Sequence, residues 1–398
     1  MNFKLIGCVL LIIGTCIGAG MLALPLVTAS LGFVGAVLML TGCWLVMMLG
    51  GFLILEVNLW FKANSHLVSM AKATLGPWGQ LITWLTYLLL FYSLLSAYIA
   101  GGSDLFRYVV GLAGIAIPHV IAAIIFTILF GLVVLLGIRS VDIVNRGLMT
   151  VKILAYCSVV LLLTPFISTD YLAYSDFKQL SSLAALTVTI TSFGFSNIIP
   201  TLRAYFAGDV VQLKRAIFWG SFLPLLCYLA WIVVVMGVIP LNGEQGLLSI
   251  MQSANSTSEL AMNLTKVSQN GIINFAIRLF TSICVVTSFL GVAVALVDFL
   301  ADGLSLEKRG LSSVFLHAAA FIPPFIIAVL YPHAFIQALE YAGIYCLILL
   351  VLLPALMAWR GRYVYKMHGP YQLVGGKPLL IILILFAVIM IVRYLISV

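Results

Sequence analysis

Residues 14–25 read GTCIGAGMLALP and lie inside an apolar stretch that runs from about residue 4 to residue 29. A glycine in a helix interior costs about 1 kcal/mol relative to alanine. Gly14, Gly18 and Gly20 therefore predict an interrupted helix, whose freed amides could hold a carboxylate at the start of the following half-helix. Close packing of two helices through small residues would explain the same pattern, and this stretch alone does not separate the two interpretations.

A second apolar stretch is interrupted in the same way. Residues 189–200 read TITSFGFSNIIP, with Gly194 in the middle and Pro200 at the end of the run. Pro200 has no amide to donate to the carbonyl of Ser196, and its ring crowds that carbonyl. The second interruption favours broken helices over simple packing, because pairs of broken helices are typical of transporters with inverted repeats, which bind their substrate between them at mid-membrane.

The composition indicates that most of the chain lies in a lipid bilayer. Hydrophobic residues make up 64% of the 398 residues and charged residues only 8%, and the mean hydropathy is +1.22. Soluble domains, in contrast, contain about 25% charged residues. A hydrocarbon core about 30 Å thick needs about 20 apolar residues per helix. This rule predicts about eleven spans, near residues 4–29, 32–60, 80–106, 118–138, 146–167, 181–205, 214–239, 272–301, 312–330, 333–358 and 377–396.

We predict one all-α integral membrane domain over residues 1–398, built as a 5+5 inverted repeat plus one helix. The first repeat covers about residues 4–167, the second about 181–358, and the extra helix about 377–396. The first, sixth and eighth spans are long and contain internal Gly, Ser or Thr, so we expect an interruption in each of them. The polar segment 240–272 is expected to help to cover an outer vestibule.

The basic residues predict that the N-terminus lies inside. Cytoplasmic segments of membrane proteins carry an excess of Lys and Arg, and with this orientation most of the 20 Lys and Arg residues fall in inner segments. The predicted outer segments hold only Arg107, Lys178, Lys266, Arg278 and Arg393. The net charge of +8 is thus mostly a signal of topology, and no nucleic-acid partner is expected.

Three runs of this chain resemble those of one bacterial family. They are GTCIGAGMLALP at 14–25, TSFGF at 191–195 and TSFLGVA at 287–293. They look like the bacterial hydroxy and aromatic amino acid permeases, closest to the tyrosine-specific type, within the amino acid–polyamine–organocation superfamily. The resemblance covers essentially the whole chain. It implies the leucine-transporter-type fold and proton-driven uptake across the bacterial inner membrane.

The resemblance also implies where the substrate binds. The positions that match are Thr15, Cys16, Gly18, Ala19, Gly20, Tyr92, Ser96, Ser192, Phe193, Gly194, Phe195 and Ser196. The amides of 18–20 would receive the substrate carboxylate, and the carbonyls of Thr15, Cys16, Ser192 and Phe193 would accept its ammonium. Phe195 would stack on an aromatic ring, which adds about 0.5–1.5 kcal/mol beyond burial. Tyr92 and Ser96 lie one helical turn apart, so one hydroxyl is a candidate to meet a phenolic substrate. Ordinary helix packing is the alternative for each of these side chains.

Lys152 lies inside the fifth predicted span. An unpaired cation there costs a few kcal/mol, and intramembrane ionisable groups usually serve function. In some proton-coupled relatives of the superfamily, a fifth-helix lysine occupies the place where sodium binds in sodium-driven members, and Lys152 resembles that residue. Its ammonium could bond carbonyls of the first break and the hydroxyls of Thr287 and Ser288, and loss of its proton would free the inner half-helix. A lysine that snorkels to the cytoplasmic surface is the alternative.

Two acidic residues are candidates for a gate or an ion pair. Glu56 lies near the inner end of the second span, where it could pair with a cytoplasmic Arg or Lys, the favoured interpretation, or relay protons. Asp298 closes the eighth span at the inner surface, with Asp302 on the same helical face.

Together these observations predict a proton symporter that imports an aromatic amino acid, most favourably tyrosine, by alternating access and without a cofactor or metal. A sodium-coupled or exchange transporter for another neutral amino acid is the nearest alternative, because Thr287 and Ser288 offer oxygens to sodium, although a nearby lysine would compete. An intramembrane enzyme is remote, because divalent-metal chemistry usually needs clustered carboxylates. The only close pair is Asp298 with Asp302.

Overall fold

The computed structural model is helical along most of its length. It describes residues 3–62, 65–206, 209–267, 270–331 and 333–397. The first half contains α1 (Phe3–Cys16), α2 (Gly20–Thr28), α3 (Gly32–Leu59), α4 (Leu67–Leu75), α5 (Pro77–Gly111), α6 (His119–Leu135), α7 (Ile138–Leu163) and α8 (Thr169–Leu172). The second half contains α9 (Leu183–Ser192), α10 (Ile199–Tyr205), α11 (Val210–Val238), α12 (Leu247–Gln252), α13 (Ser256–Lys266), α14 (Gly271–Leu304), α15 (Gly310–Leu330), α16 (Ala334–Leu347), α17 (Leu353–Tyr363) and α18 (Gly376–Ser397).

Each predicted span overlaps a helix or a broken pair of helices. Within the described ranges, nine helical segments are long and apolar enough to cross a membrane, and Lys4–Cys16 and His119–Leu135 are shorter apolar helices. The all-helical membrane fold is therefore confirmed. The total number of crossings, the side of the N-terminus and the division into two repeats stay predictions.

Two of the three expected interruptions are present. Residues 17–19 separate α1 from α2, and a bent segment with a 3-10 turn at Phe195–Ile198 separates α9 from α10. The interruption expected in the eighth span is wrong, because α14 runs unbroken over 34 residues. Two of its polar side chains form hydrogen bonds with the backbone of the same helix. The hydroxyls of Thr287 and Ser288 each donate to the carbonyl one turn earlier, at 2.9 Å. Such bonds satisfy a hydroxyl inside a helix without breaking it.

The tenth span contains a distortion that the sequence did not indicate. A π-helical turn at Ile348–Leu352 joins α16 to α17, and Pro354 follows at the start of α17. A Cβ atom on Gly50 would lie 2.1 Å from the carbonyl oxygen of Leu350, so α3 can approach this turn only because residue 50 is glycine. The loosened turn and the glycine together let the two helices pack backbone against backbone.

The predicted polar segment 240–272 contains the short helices α12 and α13. The N-terminus of α13 docks on α5 through the buried carboxylate of Asp104. This carboxylate accepts bonds from the Thr257 hydroxyl at 2.6 Å and from the Ser258 amide at 2.8 Å. A carboxylate at a helix N-terminus satisfies amides that have no partner inside the helix. The segment is therefore tied to the end of α5 rather than loose above it.

The helices that carry the two breaks pack against each other and against α11 and α16. α1 packs on α11, α2 packs on α9, and α14 packs on both α5 and α7. This arrangement brings residues from α5, α7, α9, α11, α14 and α16 around the interruption in the first span.

Candidate functional site

The first break contains backbone amides and carbonyls that would form hydrogen bonds with one another in a continuous helix. The Ala19 amide donates to the Ser288 hydroxyl at 2.9 Å. Among the described residues, the amides of Gly18 and Gly20 have no hydrogen-bond partner, and the carbonyls of Gly14 and Thr15 accept no backbone bond. Unpaired amides therefore lie at the N-terminus of α2, where the helix dipole favours negative charge.

The glycines of the first break permit close contacts with other helices. A Cβ atom on Gly18 would lie 2.2 Å from the Ser288 hydroxyl oxygen, and one on Gly20 would lie 2.8 Å from that of Ser192. Any larger residue at position 18 would displace the Ser288 hydroxyl from the Ala19 amide. Glycine here serves to leave room for the two serine hydroxyls, since neither position has a positive φ.

Lys152 is buried at the first break, with only 1% of its surface exposed. Its ammonium nitrogen lies 2.6 Å from the carbonyl oxygen of Ile17 and 3.1 Å from the hydroxyl oxygen of Thr287. It does not snorkel to the surface, and no described carboxylate lies within salt-bridge distance of it. The expected contacts to the first break and to Thr287 are present, whereas Ser288 bonds the Ala19 amide instead. The role of Lys152 in coupling stays a prediction.

Tyr228 of α11 is a site residue that the sequence analysis missed. Its hydroxyl lies 2.6 Å from the carbonyl oxygen of Cys16, the last residue of α1, and 2.9 Å from that of Ser192, the last residue of α9. One side chain thus reaches the ends of both half-helices. One turn further on, the indole nitrogen of Trp231 donates to the carbonyl of Met21 at 3.0 Å. No local pattern separated these two residues from the other aromatic residues of the spans.

A cavity of about 670 Å³ lies beside the two breaks. At one end it meets Thr191 and Gly194 of the sixth span and Thr287 and Ser288 of α14. From there it follows α1 past Thr15 to a mouth formed by Gly7, Asn145 and Arg146. Tyr98 and Phe91 of α5, Gly291 of α14 and Cys346 of α16 form much of its wall near the breaks. The cavity therefore connects the unpaired backbone of the first break with one end of the helix bundle.

The predicted substrate positions divide into those that line this cavity and those that do not. Thr15 and Gly194 line it, together with the proton-coupling candidate Ser288. The other predicted positions of the two breaks are buried outside the lining, namely Cys16, Gly18, Ala19, Gly20 and Ser192. Phe193 and Phe195 are fully buried away from it. Phe193 packs edge-on against Tyr228 with ring centroids 5.2 Å apart.

The other aromatic and hydroxyl candidates already have partners within the protein. Phe195 packs near Gly51 of α3, and the Ser196 hydroxyl lies 3.5 Å from the carbonyl oxygen of Met47. On α5, the Tyr92 hydroxyl donates to the carbonyl of Ala319 at 2.9 Å, and the Ser96 hydroxyl donates to the carbonyl of Tyr92. Their roles in binding stay predictions, and in this conformation none of these groups reaches the cavity.

The two acidic candidates form ion pairs of different kinds. The Glu56 carboxylate is 1% exposed and accepts bonds from the Arg362 guanidinium at 2.7 and 2.5 Å and from the Leu373 amide at 2.8 Å. Asp298 pairs with Lys308 at 2.5 Å on the surface, where both side chains are more than two-fifths exposed. Neither pair touches the cavity beside the breaks.

Comparisons with known proteins agree with this architecture. The tyrosine-specific transport system 2 of Haemophilus influenzae is 33% identical over 99% of this chain and 97% of the relative. The glutamine transporter 2 of Aliivibrio fischeri is 30% identical over 98% of this chain and 99% of the relative. The crystal structure of MhsT in complex with L-phenylalanine superposes with a TM-score of 0.65 at 15% sequence identity, covering 98% of each chain, which shows a common fold.

The described helices and the relatives together identify a multi-pass membrane protein of a transporter family rather than an enzyme family. The tryptophan/tyrosine permease family matches residues 1–394, nearly the full length of the chain. The chain belongs to the tryptophan/tyrosine permease family.

Proposed function

We propose that this protein imports an aromatic amino acid, most favourably tyrosine, together with a proton, across the inner membrane of a bacterium by alternating access. The observation that carries the proposal is the meeting of two broken helices beside one cavity. Gly14 and Thr15, whose carbonyls are unpaired among the described residues, line this cavity, and the unpaired amides of Gly18 and Gly20 follow directly in the chain. The family and the tyrosine-specific relative support the class of substrate.

The backbone of the first break suits an amino acid zwitterion. The unpaired amides of Gly18 and Gly20 at the start of α2 are suited to the carboxylate, because a helix N-terminus binds anions. The carbonyls of Gly14 and Thr15 at the end of α1 have free lone pairs for the ammonium. The carbonyls of Cys16 and Ser192, which we also expected to accept the ammonium, already share the single O–H donor of Tyr228.

An aromatic side chain would occupy the wall formed by α5, α14 and α16. Phe91 and Tyr98 offer ring faces and edges, Cys346 offers a polarizable sulfur, and Gly291 leaves open space. Aromatic pairs with offset or edge-on geometry add about 0.5–1.5 kcal/mol beyond burial. In this conformation the ring contact would therefore come from the third and tenth spans, with space left by Gly291 of the eighth span and Phe195 buried outside the cavity.

The cavity favours a transporter that has its inner side open. With the N-terminus inside, the mouth at Gly7, Asn145 and Arg146 faces the cytoplasm. At the opposite end, α13 is bound to α5 by Asp104 and by the bond from the Arg107 guanidinium to the Asn255 side-chain oxygen at 2.6 Å. A carrier that works by alternating access is open on one side while it is closed on the other.

Lys152 supports a proton rather than sodium as the coupling ion. Its ammonium already occupies the oxygens of Ile17 and Thr287, which a sodium ion would otherwise ligate. Loss of its proton would remove the positive charge and weaken the charge-assisted bond that holds the Ile17 carbonyl to α7. The inner half-helix α1 would then be freer to move.

The test is uptake by purified protein in proteoliposomes that contain no sodium. We expect labelled tyrosine to accumulate when the outside is more acidic than the inside, and to stop accumulating when a protonophore removes the gradient. Unlabelled tyrosine, tryptophan and glutamine are compared as competitors, since a glutamine-transporting relative makes another neutral amino acid the second candidate. Accumulation that depends on sodium, or that ignores the pH gradient, would refute the proton coupling. Uptake of labelled glutamine without uptake of labelled tyrosine would refute the aromatic substrate.

A further inference from the structure

The two broken helices are joined through a single hydroxyl group. Cys16 and Ser192 are far apart along the chain, yet both carbonyl oxygens lie within 2.9 Å of the Tyr228 hydroxyl oxygen. Each of these residues ends a half-helix, so each carbonyl lacks the amide that a continuous helix would supply. Tyr228 is fully buried, so water does not compete for either carbonyl.

The groups around this hydroxyl indicate that it positions the two breaks rather than taking part in a reaction. Phe193 holds the Tyr228 ring from the side, with an interplanar angle of 75°. Trp231, three residues later on the same helix, holds the carbonyl of Met21 on the other side of the first break. Helix α11 therefore contacts both sides of the first break and the end of α9, and the Tyr228 hydroxyl contacts the end of α1 and the end of α9 together.

We propose that Tyr228 is a positioning residue that sets the distance between the two breaks before the substrate binds. The inference rests on the proposed function, in which the substrate lies beside both breaks. A binding site that is ordered in advance loses less freedom when the ligand arrives, which raises affinity. Without the hydroxyl, the carbonyls of Cys16 and Ser192 lose the donor that they share among the described residues. The ends of α1 and α9 are then held less firmly, and the substrate must order them when it binds.

The first test is Tyr228→Phe, which removes one oxygen atom and leaves the ring. We expect the half-saturation concentration for uptake to rise about tenfold, a size typical for the loss of a buried hydrogen bond that leaves its acceptors unsatisfied. The maximum rate should stay within about twofold, because a saturating substrate can still order the breaks. A residue that serves only stability would lower the yield or the melting temperature and leave the half-saturation concentration unchanged.

The matched control is Tyr156→Phe. Tyr156 of α7 also donates its hydroxyl to one backbone carbonyl of α11, that of Cys227 at 2.9 Å, but it does not touch either break. We expect this variant to keep the half-saturation concentration of the unchanged protein. An equal rise in both variants would overturn the proposal, as would no rise in Tyr228→Phe.

A second variant keeps the proposal testable if Tyr228→Phe does not fold. Incorporation of 4-aminophenylalanine in place of Tyr228 supplies two N–H donors, one for each carbonyl. We expect a half-saturation concentration no higher than that of the unchanged protein, and a tenfold rise would count against the proposal. All measurements use the substrate among tyrosine, tryptophan and glutamine that the unchanged protein transports. Absence of saturable uptake by the unchanged protein would instead overturn the proposed function itself.

Discussion

The ammonium nitrogen of Lys152 lies 2.6 Å from the carbonyl oxygen of Ile17, a residue 135 positions earlier in the chain. It is buried there without a carboxylate partner among the described side chains. This contact leads to the first prediction. Lys152→Met keeps much of the side-chain volume and removes the charge, so we expect accumulation of tyrosine driven by a pH gradient to be lost.

Exchange of internal for external tyrosine without a gradient is the control for the Lys152→Met variant. This exchange needs only substrate binding and movement of the carrier, so the variant should keep a detectable fraction of the exchange rate of the unchanged protein. Full accumulation by Lys152→Met would contradict a coupling role for Lys152.

The effect of a substitution at Gly18 on tyrosine binding should depend strongly on the residue at position 288. Gly18→Ala places a Cβ atom 2.2 Å from the Ser288 hydroxyl oxygen. Because this displaces Ser288 from the Ala19 amide and disturbs the first break, we expect binding of tyrosine to weaken by about fivefold or more, in line with an overpacking cost of about 1–3 kcal/mol. The double variant Gly18→Ala with Ser288→Ala removes the colliding oxygen, and the next contact would be 3.5 Å. Tyrosine binding, measured by calorimetry, should then recover in part. No recovery would show that the collision is not the cause.

Gly291 should limit the size of the substrate. A Cβ atom there meets nothing within 4 Å and faces the cavity. Gly291→Val fills that space, and we expect uptake of tryptophan to fall more than uptake of tyrosine. Gly42→Val is the control, since Gly42 of α3 also has open space beside it but does not line the cavity. A similar loss for both substrates in the Gly291 variant would contradict a role in selectivity.

The two acidic candidates should differ in their effect on stability. Glu56→Gln breaks a buried pair and leaves the Arg362 charge without its partner, which costs about 3–5 kcal/mol. Asp298→Asn breaks an exposed pair, and such pairs contribute about 0–1 kcal/mol. Thermal unfolding in detergent should therefore show a much lower midpoint for Glu56→Gln than for Asp298→Asn. Equal midpoints would mean that the Glu56 pair is solvated more than its burial indicates.

Much of the fold could be predicted because a bilayer imposes simple rules. Apolar length located the spans, and the glycines at 14–20 and the Gly194–Pro200 segment located two breaks. The same rule failed for α14, because it counts Thr and Ser as interruptions. Thr287 and Ser288 instead bond carbonyls of their own helix, which leaves the helix intact.

The site was harder to predict, because its contacts join distant parts of the chain. Lys152 was recognisable, since a charge inside an apolar span stands out. Tyr228 was not, because the chain contains 16 tyrosines and nothing near residue 228 indicates that its hydroxyl will reach Cys16. The direction of Phe195 depends on the 3-10 turn that it begins, and a change of helical pitch rotates every side chain after it.

Residues 17–20 are shared by two contacts that involve adjacent residues of α14. Thr287 bonds Lys152, which holds the Ile17 carbonyl, and Ser288 bonds the Ala19 amide. If Lys152 carries the coupling proton, thermodynamic linkage requires tyrosine to change the proton affinity of Lys152 by the same factor by which the proton changes the affinity for tyrosine. Here the substrate site and the proton site would be coupled directly, because both contact the same short stretch of backbone. Binding of tyrosine in a weakly buffered solution would then be accompanied by the uptake or release of protons.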